Sequence, residues 1–474
     1  MPDAPNVLWI CTDQQRYDTL GCYGNDHVDT PVLDGLAADG TRFERAYCQS
    51  PVCSPSRGSF LTGRYPRTTG CRQNGQPMPR RETTVVRRLA DTGYTTGLAG
   101  KLHISPAGGP PETREPARRI DDGYGVVEYS HSPGMEQENA YGRWLATRDV
   151  TYDPTPTPES PHVNETVPAE HHQTTWCAER AVEFVETAGE APWLYSVNVF
   201  DPHPAFEAPP DYLDRYRHRL EELPAANYVE GELEDKPVFQ RDKHEGTNNR
   251  GGPAYVELEP EDRRMIRAAY YAMCDLIDDA VGRMLEALER TGQRENTLVL
   301  FSSDHGTMLG DHGLYKKGPY FYEEGVHVPL IVDGPGVDSG TVGTIVELVD
   351  IAPTLLEAAG EPVGPGVQGE SLWPLLGDAG DREKQSAYCE FYNASTQHTD
   401  PRAYATMLRE DRYKLVSVHG RDAGELYDLR EDPDETHNRW DDPDYRDVKL
   451  RLLDRLAGRM ARTADPLPER RAPW

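Results

Sequence analysis

A chain of 474 residues with 80 acidic and 50 basic side chains has a formal net charge of −30, a balance that disfavours nucleic acid as a partner. No apolar run approaches the ~18 residues a membrane helix needs, so no membrane span is expected. The length suits one large core with a smaller appendage.

The basic residues divide into 8 lysines and 42 arginines. Acidic excess with scarce lysine resembles the balance of proteins from salt-loving organisms, where salt screens self-repulsion. The opening "MPDAPNVLWICTDQQ" lacks a basic region and a long apolar stretch, so a cytoplasmic protein is expected. The 8 cysteines lack the close paired spacings of zinc sites or secreted scaffolds and are expected to be buried, reduced thiols.

In chain order, "NVLWIC" (6–11) has the length and composition of a buried parallel strand and is followed by Asp13 and Gln14. In "CSPSRGSFLTG", Pro55 suits the first turn of a helix, which puts Cys53 where the helix dipole and free amides favour an anion. "YTTGLAG" (94–100) is a second strand. Lys101 and His103 after it would share a face in extended chain. Residues 104–168, rich in Pro, Gly, Asp and Glu, read as a surface insertion. "WLYSVNVF" (193–200) leads into "DPHP", where flanking prolines would hold His203 extended. A second insertion covers 204–256, and a long helical pattern covers 261–292. "TLVLFSS" (297–303) precedes Asp304 and His305, Lys316 and Lys317 form the only adjacent lysine pair, and "VPLIVDG" (328–334) reads as another buried parallel strand. Beyond it, "YATMLREDRYKLVSV" and "GELYDL" look like antiparallel strands. The last helix presents Val448, Leu452, Leu456 and Met460 on one stripe.

Strands alternating with helices predict an α/β fold: a large, mostly parallel sheet sandwiched by helices over residues 1–378. Residues 379–474 are expected to form a small α+β subdomain with an antiparallel sheet and a helix. In an open α/β sheet the carboxyl ends of strands line one crevice, so the polar groups after each strand should meet in one site. Asp13, Gln14, Asp304 and His305 offer two carboxylates, an amide oxygen and an imidazole, donors that favour Ca²⁺, Mg²⁺ or Mn²⁺ over zinc. Taken singly, each Asp is more often a cap or turn former; their co-occurrence points to a metal. Cations beside such a site suggest an anionic substrate. A thiolate phosphatase loop would place arginine six positions after the cysteine, where this chain has Ser59.

"CSPSRGSFLTGRYP" resembles the signature of type I sulfatases of the alkaline phosphatase superfamily. "DQQRYDTLGCYG", "GKLH", "DPHP", "SDHGTMLGDHGL", "KKGPYFYEEGVHVPLIV" and the closing "RYKLVSV…GELYDLREDPDE" resemble that family in the same order, from about Asn6 to about Pro466. The resemblance implies that Cys53 is oxidised after translation to formylglycine by a maturation enzyme. One oxygen of the hydrated aldehyde would bind metal while the other attacks sulfur, and hemiacetal collapse would release sulfate. It also implies that Asp13, Gln14, Asp304 and His305 bind the metal with residue 53, that Arg57 steadies the modified residue, and that Lys101 and His103 hold the hydrate, with His103 the base for collapse. His203 and Lys317 would clamp the sulfate oxygens and help protonate the leaving group.

Two departures stand out. His327 occupies a position where the family often has arginine. Gln14 and His305 match choline sulfatases and phosphonate monoester hydrolases, whereas many arylsulfatases have Asp and Asn there. Calcium is the first choice of metal, with Mn²⁺ and Mg²⁺ open. The leading expectation is hydrolysis of a sulfate monoester on a small molecule or carbohydrate. The rival on the same scaffold is a phosphonate monoester or phosphodiester hydrolase, although such enzymes usually carry uncharged residues at positions 101 and 103. A binding protein with unmodified Cys53 is a third class, and a homo-oligomer is left open.

Overall fold

The computed structural model describes residues 4–107, 120–134, 139–246, 253–377, 384–394 and 402–464. The first strand, β1 (Asn6–Thr12), is buried along its whole length. Its side chains alternate between two cores, Val7, Trp9 and Cys11 on one face and Leu8 and Ile10 on the other, as the two-residue repeat of a strand requires. That is why the run is continuously apolar rather than alternating.

Seven further strands complete the sheet: β2 (Thr41–Phe43), β3 (Thr95–Gly100), β4 (Val126–Tyr129), β5 (Trp193–Asn198), β6 (Thr297–Ser303), β7 (Leu330–Asp333) and β8 (Gly340–Val342). Their spatial order is β8-β2-β7-β6-β1-β5-β3-β4. From β6 to β4 every pairing is parallel. One face carries α1 (Cys53–Thr62) and Ile351–Ala358; the other carries α2 (Gln173–Thr187) and α3 (Pro260–Arg290). The expected α/β sandwich is therefore present.

One strand runs against expectation. β7 is antiparallel to both β6 and β2, because the chain leaves the carboxyl end of β6, crosses the same edge of the sheet, and re-enters from that edge. A strand buried on both faces has the same composition in either direction. The insertions are also more ordered than their composition suggests. The first supplies the edge strand β4 and a helix at Ala140–Ala146; the second holds helices at Pro210–Arg217 and Val238–His244. Tyr212, Leu213 and Tyr216 share a core cluster with residues of α3, so burial against that helix provides what local periodicity does not.

Strands β9 (Ala387–Tyr392), β10 (Tyr404–Arg409), β11 (Tyr413–Val418) and β12 (Ala423–Asp428) form an antiparallel sheet in sequential order. Helix α4 (Arg446–Arg462) packs on it through buried Leu452 and Leu456, with Val448 and Met460 at the margin. The expected boundary at 378/379 lies outside the described residues. Among the described residues no helix is long and apolar enough to cross a membrane. All 8 cysteines are free, and all but Cys22 are buried.

Candidate active site

Parallel register builds the site. Thr12 of β1 faces Ser303 of β6, so the residues that follow, Asp13 and Asp304, emerge side by side; the Asp304 amide donates to the Thr12 carbonyl at 3.2 Å. On the other flank the Lys101 amide donates to the Asn198 carbonyl at 2.8 Å and the Asp13 amide to the Asp201 carbonyl at 3.2 Å. The carboxyl ends of β1, β3, β5 and β6 are thus tied into one edge, as expected of a parallel sheet. Helix α1 starts at that edge. Val52 is its N-cap and all ten of its residues are buried.

Cys53 lies at the centre. Its Sγ is 2.9 Å from Lys317 Nζ, 3.2 Å from His305 Nε2, 3.6 Å from Asp13 Oδ1 and 3.8 Å from Lys101 Nζ. His103 and His203 also hydrogen-bond the thiol. Arg57 does not touch residue 53 in this way. Its Nε donates to Asp304 Oδ2 at 2.8 Å, its Nη2 to Asp13 Oδ2 at 3.2 Å and its Nη1 to the Lys101 carbonyl at 2.8 Å. Arg57 therefore fixes the two carboxylates and the start of the Lys101 loop. Lys101 Nζ completes this clamp, 2.5 Å from Asp13 Oδ2.

One local expectation is corrected. His103 is not in extended chain but has a left-handed backbone, φ 55°; it nevertheless reaches the thiol beside Lys101. His203 closes a turn, its amide donating to the Phe200 carbonyl at 3.1 Å. Gln14 (φ 69°) and Lys316 (φ 66°) also have left-handed backbones. Such strain persists only where the surroundings enforce it, and it clusters at functional sites.

The electrostatics follow from this crowding. Burial pushes the Cys53 thiol up, but Lys101, Lys317 and His305 reverse the effect and hold it well below the ordinary thiol value. Burial and Cys53 oppose ionisation of Asp13, yet Lys101, His203 and Lys317 keep it below the usual carboxylate range. Burial, aided by Lys101, lowers His103 to about 4. Burial, aided by Lys317, lowers His203 to about 4. Both imidazoles are neutral near pH 7 and free to accept a proton.

The donor set fits a cation. Ligand atoms of Asp13, Cys53, Asp304 and His305 all lie within 4.8 Å of one another. His305 Nδ1 donates to the Gly306 carbonyl at 2.8 Å, which leaves the Nε2 lone pair facing residue 53, the orientation a metal-ligating histidine needs. Gln14 Nε2 donates to Thr307 Oγ1 at 2.8 Å, turning its Oε1 inward, where that oxygen is buried without a hydrogen-bond partner. An orphaned buried acceptor beside carboxylates is what a cation would satisfy. All the expected site residues are brought together.

Sequence reasoning missed three supports. Thr307 orients Gln14. Tyr270 accepts from the Arg16 amide at 3.0 Å and donates to the Gln14 carbonyl at 2.7 Å. His131 stands edge-on to His103 with ring centroids 4.4 Å apart. Only Thr307 carried a signal, as the second residue after the Asp304–His305 pair. At His327, where the family often has arginine, the imidazole stacks on Tyr17 at 3.8 Å. Arg409 Nε, 3.3 Å from Glu323, supplies a guanidinium for that carboxylate from the C-terminal sheet.

A strand-edge crevice holding a buried nucleophile, a cation cradle and paired lysines defines a hydrolase of anionic esters. The sulfatase family model matches residues 5–361, and that of the C-terminal region of N-sulphoglucosamine sulphohydrolase matches 310–462. The chain belongs to the sulfatase family of the alkaline phosphatase superfamily and is a sulfuric ester hydrolase. It is 30% identical to the uncharacterized sulfatase YidJ of Escherichia coli K12 over 98% of this chain and 88% of the relative. It is 28% identical to an arylsulfatase of Clostridium perfringens over 96% and 95%. Among solved structures, the phosphonate monoester hydrolase of Agrobacterium radiobacter superposes with a TM-score of 0.85 at 27% identity, covering 97% of this chain and 96% of that one.

Proposed function

We propose that the protein hydrolyses a sulfate monoester with residue 53, in its formylglycine form, as the nucleophile. The observation that carries this is the position of Cys53 Sγ, 2.9 Å from Lys317, 3.8 Å from Lys101 and 3.2 Å from His305. Cationic and hydrogen-bonding groups surrounding one nucleophilic position suit a reaction in which negative charge builds on sulfate oxygens.

Asp13, Gln14, Asp304 and His305 would hold a divalent cation together with residue 53, and the oxygen-rich donors favour Ca²⁺ ahead of Mn²⁺ or Mg²⁺. When bound, the cation would acidify the attacking hydroxyl and draw charge from the sulfate oxygens. The chain's own groups do the rest. Lys317 and His203 orient the sulfate, and as the ester S–O bond breaks Lys317 passes a proton to the departing alkoxide. The sulfate is then carried on one oxygen of residue 53. His103 Nε2 removes the proton from that residue's second hydroxyl, the C–O bond to sulfate breaks, and the aldehyde re-forms to be hydrated again. Neutral His103 suits this task because a general base must be unprotonated when it acts. Arg57 keeps both carboxylates in place throughout.

Formylglycine implies a maturation enzyme acting on "CSPSR". A sulfated small molecule or carbohydrate is the substrate class. A second reading, phosphonate monoester hydrolysis, is favoured by the TM-score of 0.85 to the Agrobacterium enzyme. Metal-loaded protein assayed with an aryl sulfate and with an aryl phosphonate monoester under identical conditions separates the two. Higher kcat/KM on the sulfate is expected; higher kcat/KM on the phosphonate would overturn the first reading.

A further inference from the structure

The first insertion returns to the site through β4. Gly100 at the end of β3 pairs with Tyr129 at the end of β4, and the Ser130 amide donates to the Gly100 carbonyl at 3.0 Å. Because parallel neighbours advance together, the residues just beyond these ends, Lys101 to His103 on one strand and His131 on the other, leave the sheet side by side. His131 meets His103 at 4.4 Å between centroids with an interplanar angle of 82°. Tyr129 OH lies 3.4 Å from His131 Nδ1.

His103 needs such a neighbour. Its Nδ1 is buried without a hydrogen-bond partner, whereas His305 and His203 each have Nδ1 fixed by a backbone carbonyl, Gly306 and Pro204 respectively. No hydrogen bond sets the ring plane of His103 through that nitrogen, and its backbone is left-handed. The wall formed by His131 remains to stop the ring from rotating. We propose that His131 is a positioning residue for His103: its edge-on contact holds the His103 ring so that the other nitrogen stays on residue 53. His131 is only half-buried, so it stands at the rim of the site, where a substitution can be made without opening the core.

This inference rests on the role given to His103, removal of the proton that lets sulfate leave residue 53. The test uses formylglycine-bearing, metal-loaded protein and the variants His131→Ala, His131→Phe and His103→Ala. Each is assayed for kcat and KM and quenched during turnover for intact-protein mass. His131→Ala should lower kcat about tenfold with KM little changed, because small misplacement of a catalytic group costs one to two orders of magnitude. It should also accumulate protein carrying one added sulfate, as His103→Ala does. His131→Phe, which keeps an aromatic wall, should restore most of kcat. If His103→Ala accumulates the sulfated form and His131→Ala does not, the positioning role is wrong. A change confined to KM would likewise overturn it and make His131 a substrate contact. If His103→Ala itself shows no sulfated form, the underlying reading of His103 fails instead.

Discussion

Two regions of this molecule bury clusters of charge, and they differ in whether the cluster is closed in the sense that each acceptor in it has a donor, although Arg459 Nε, a donor of the first cluster, is itself buried without a partner. Beneath the C-terminal helix, Glu347 accepts from Tyr65 OH at 2.8 Å, Arg459 Nη2 at 2.8 Å and the Tyr388 amide at 2.9 Å. Lys384 Nζ bridges it to Asp350 at 2.9 and 2.7 Å. Burial works against the Glu347 carboxylate, but Lys384 and Arg459 bring it down to about 2. Around Cys53 the density of charge is similar, yet the Gln14 Oε1 acceptor and His103 Nδ1 are left unanswered. A closed cluster joins parts of the fold; an open one is held ready for a ligand.

Breaking the open cluster should cost activity rather than stability. Lys317→Ala removes the ammonium nearest residue 53 and should lower kcat by on the order of a hundredfold to a thousandfold, the usual loss when a charge-stabilising donor is removed. Its melting temperature should stay close to that of the parent, since the side chain is only half-buried. A marked fall in Tm would place Lys317 in the structural class. Breaking the closed cluster should do the reverse. Lys384→Met leaves Glu347 and Asp350 short of a buried cation and should destabilise the fold by about 3 kcal/mol, as truncating a buried ion pair does. Denaturant unfolding measures the loss, while kcat of the folded fraction should be unchanged.

The smallest expected effect sharpens the comparison at a third buried carboxyl. Asp278 accepts from the Val32 and Leu33 amides at 3.0 and 2.8 Å, and burial pushes it up to about 7. Its folded-state value lies above the unfolded one, so the native protein holds an extra proton between about pH 4 and pH 7. The stability contributed by that proton is present at the acid end, declines as pH rises through this window and is gone above it. Asp278→Asn should flatten this part of a Tm-against-pH curve; an unchanged slope would assign the dependence to other groups.

How much of this was legible in the sequence follows from the kind of signal each element carries. Strands β1, β3, β5 and β6 were readable as buried strands; β1, β3 and β6 are followed at once by a polar residue that reaches the site, and β5 by Val199 and Phe200 before the turn that leads to His203. Cys53, Arg57 and Lys317 were readable from ordered motifs. Strand β4 was not, because "VVEY" is short and lies among Pro- and Gly-rich segments, and its place at the sheet edge depends on pairing with β3. His131 was hidden for the same reason: its role depends on a register that no local pattern encodes. The reversed direction of β7 was equally invisible, since burial on both faces erases the difference between parallel and antiparallel composition.

The central claim concerns the chemical identity of residue 53. Peptide mass spectrometry on "AYCQSPVCSPSR", residues 46–57, from protein made in its natural host tests it most directly, with Cys48 as the unmodified control. Formylglycine at position 53 beside an intact Cys48 thiol is the predicted result. An intact Cys53 thiol in folded, metal-loaded protein that turns over a sulfate ester would contradict it.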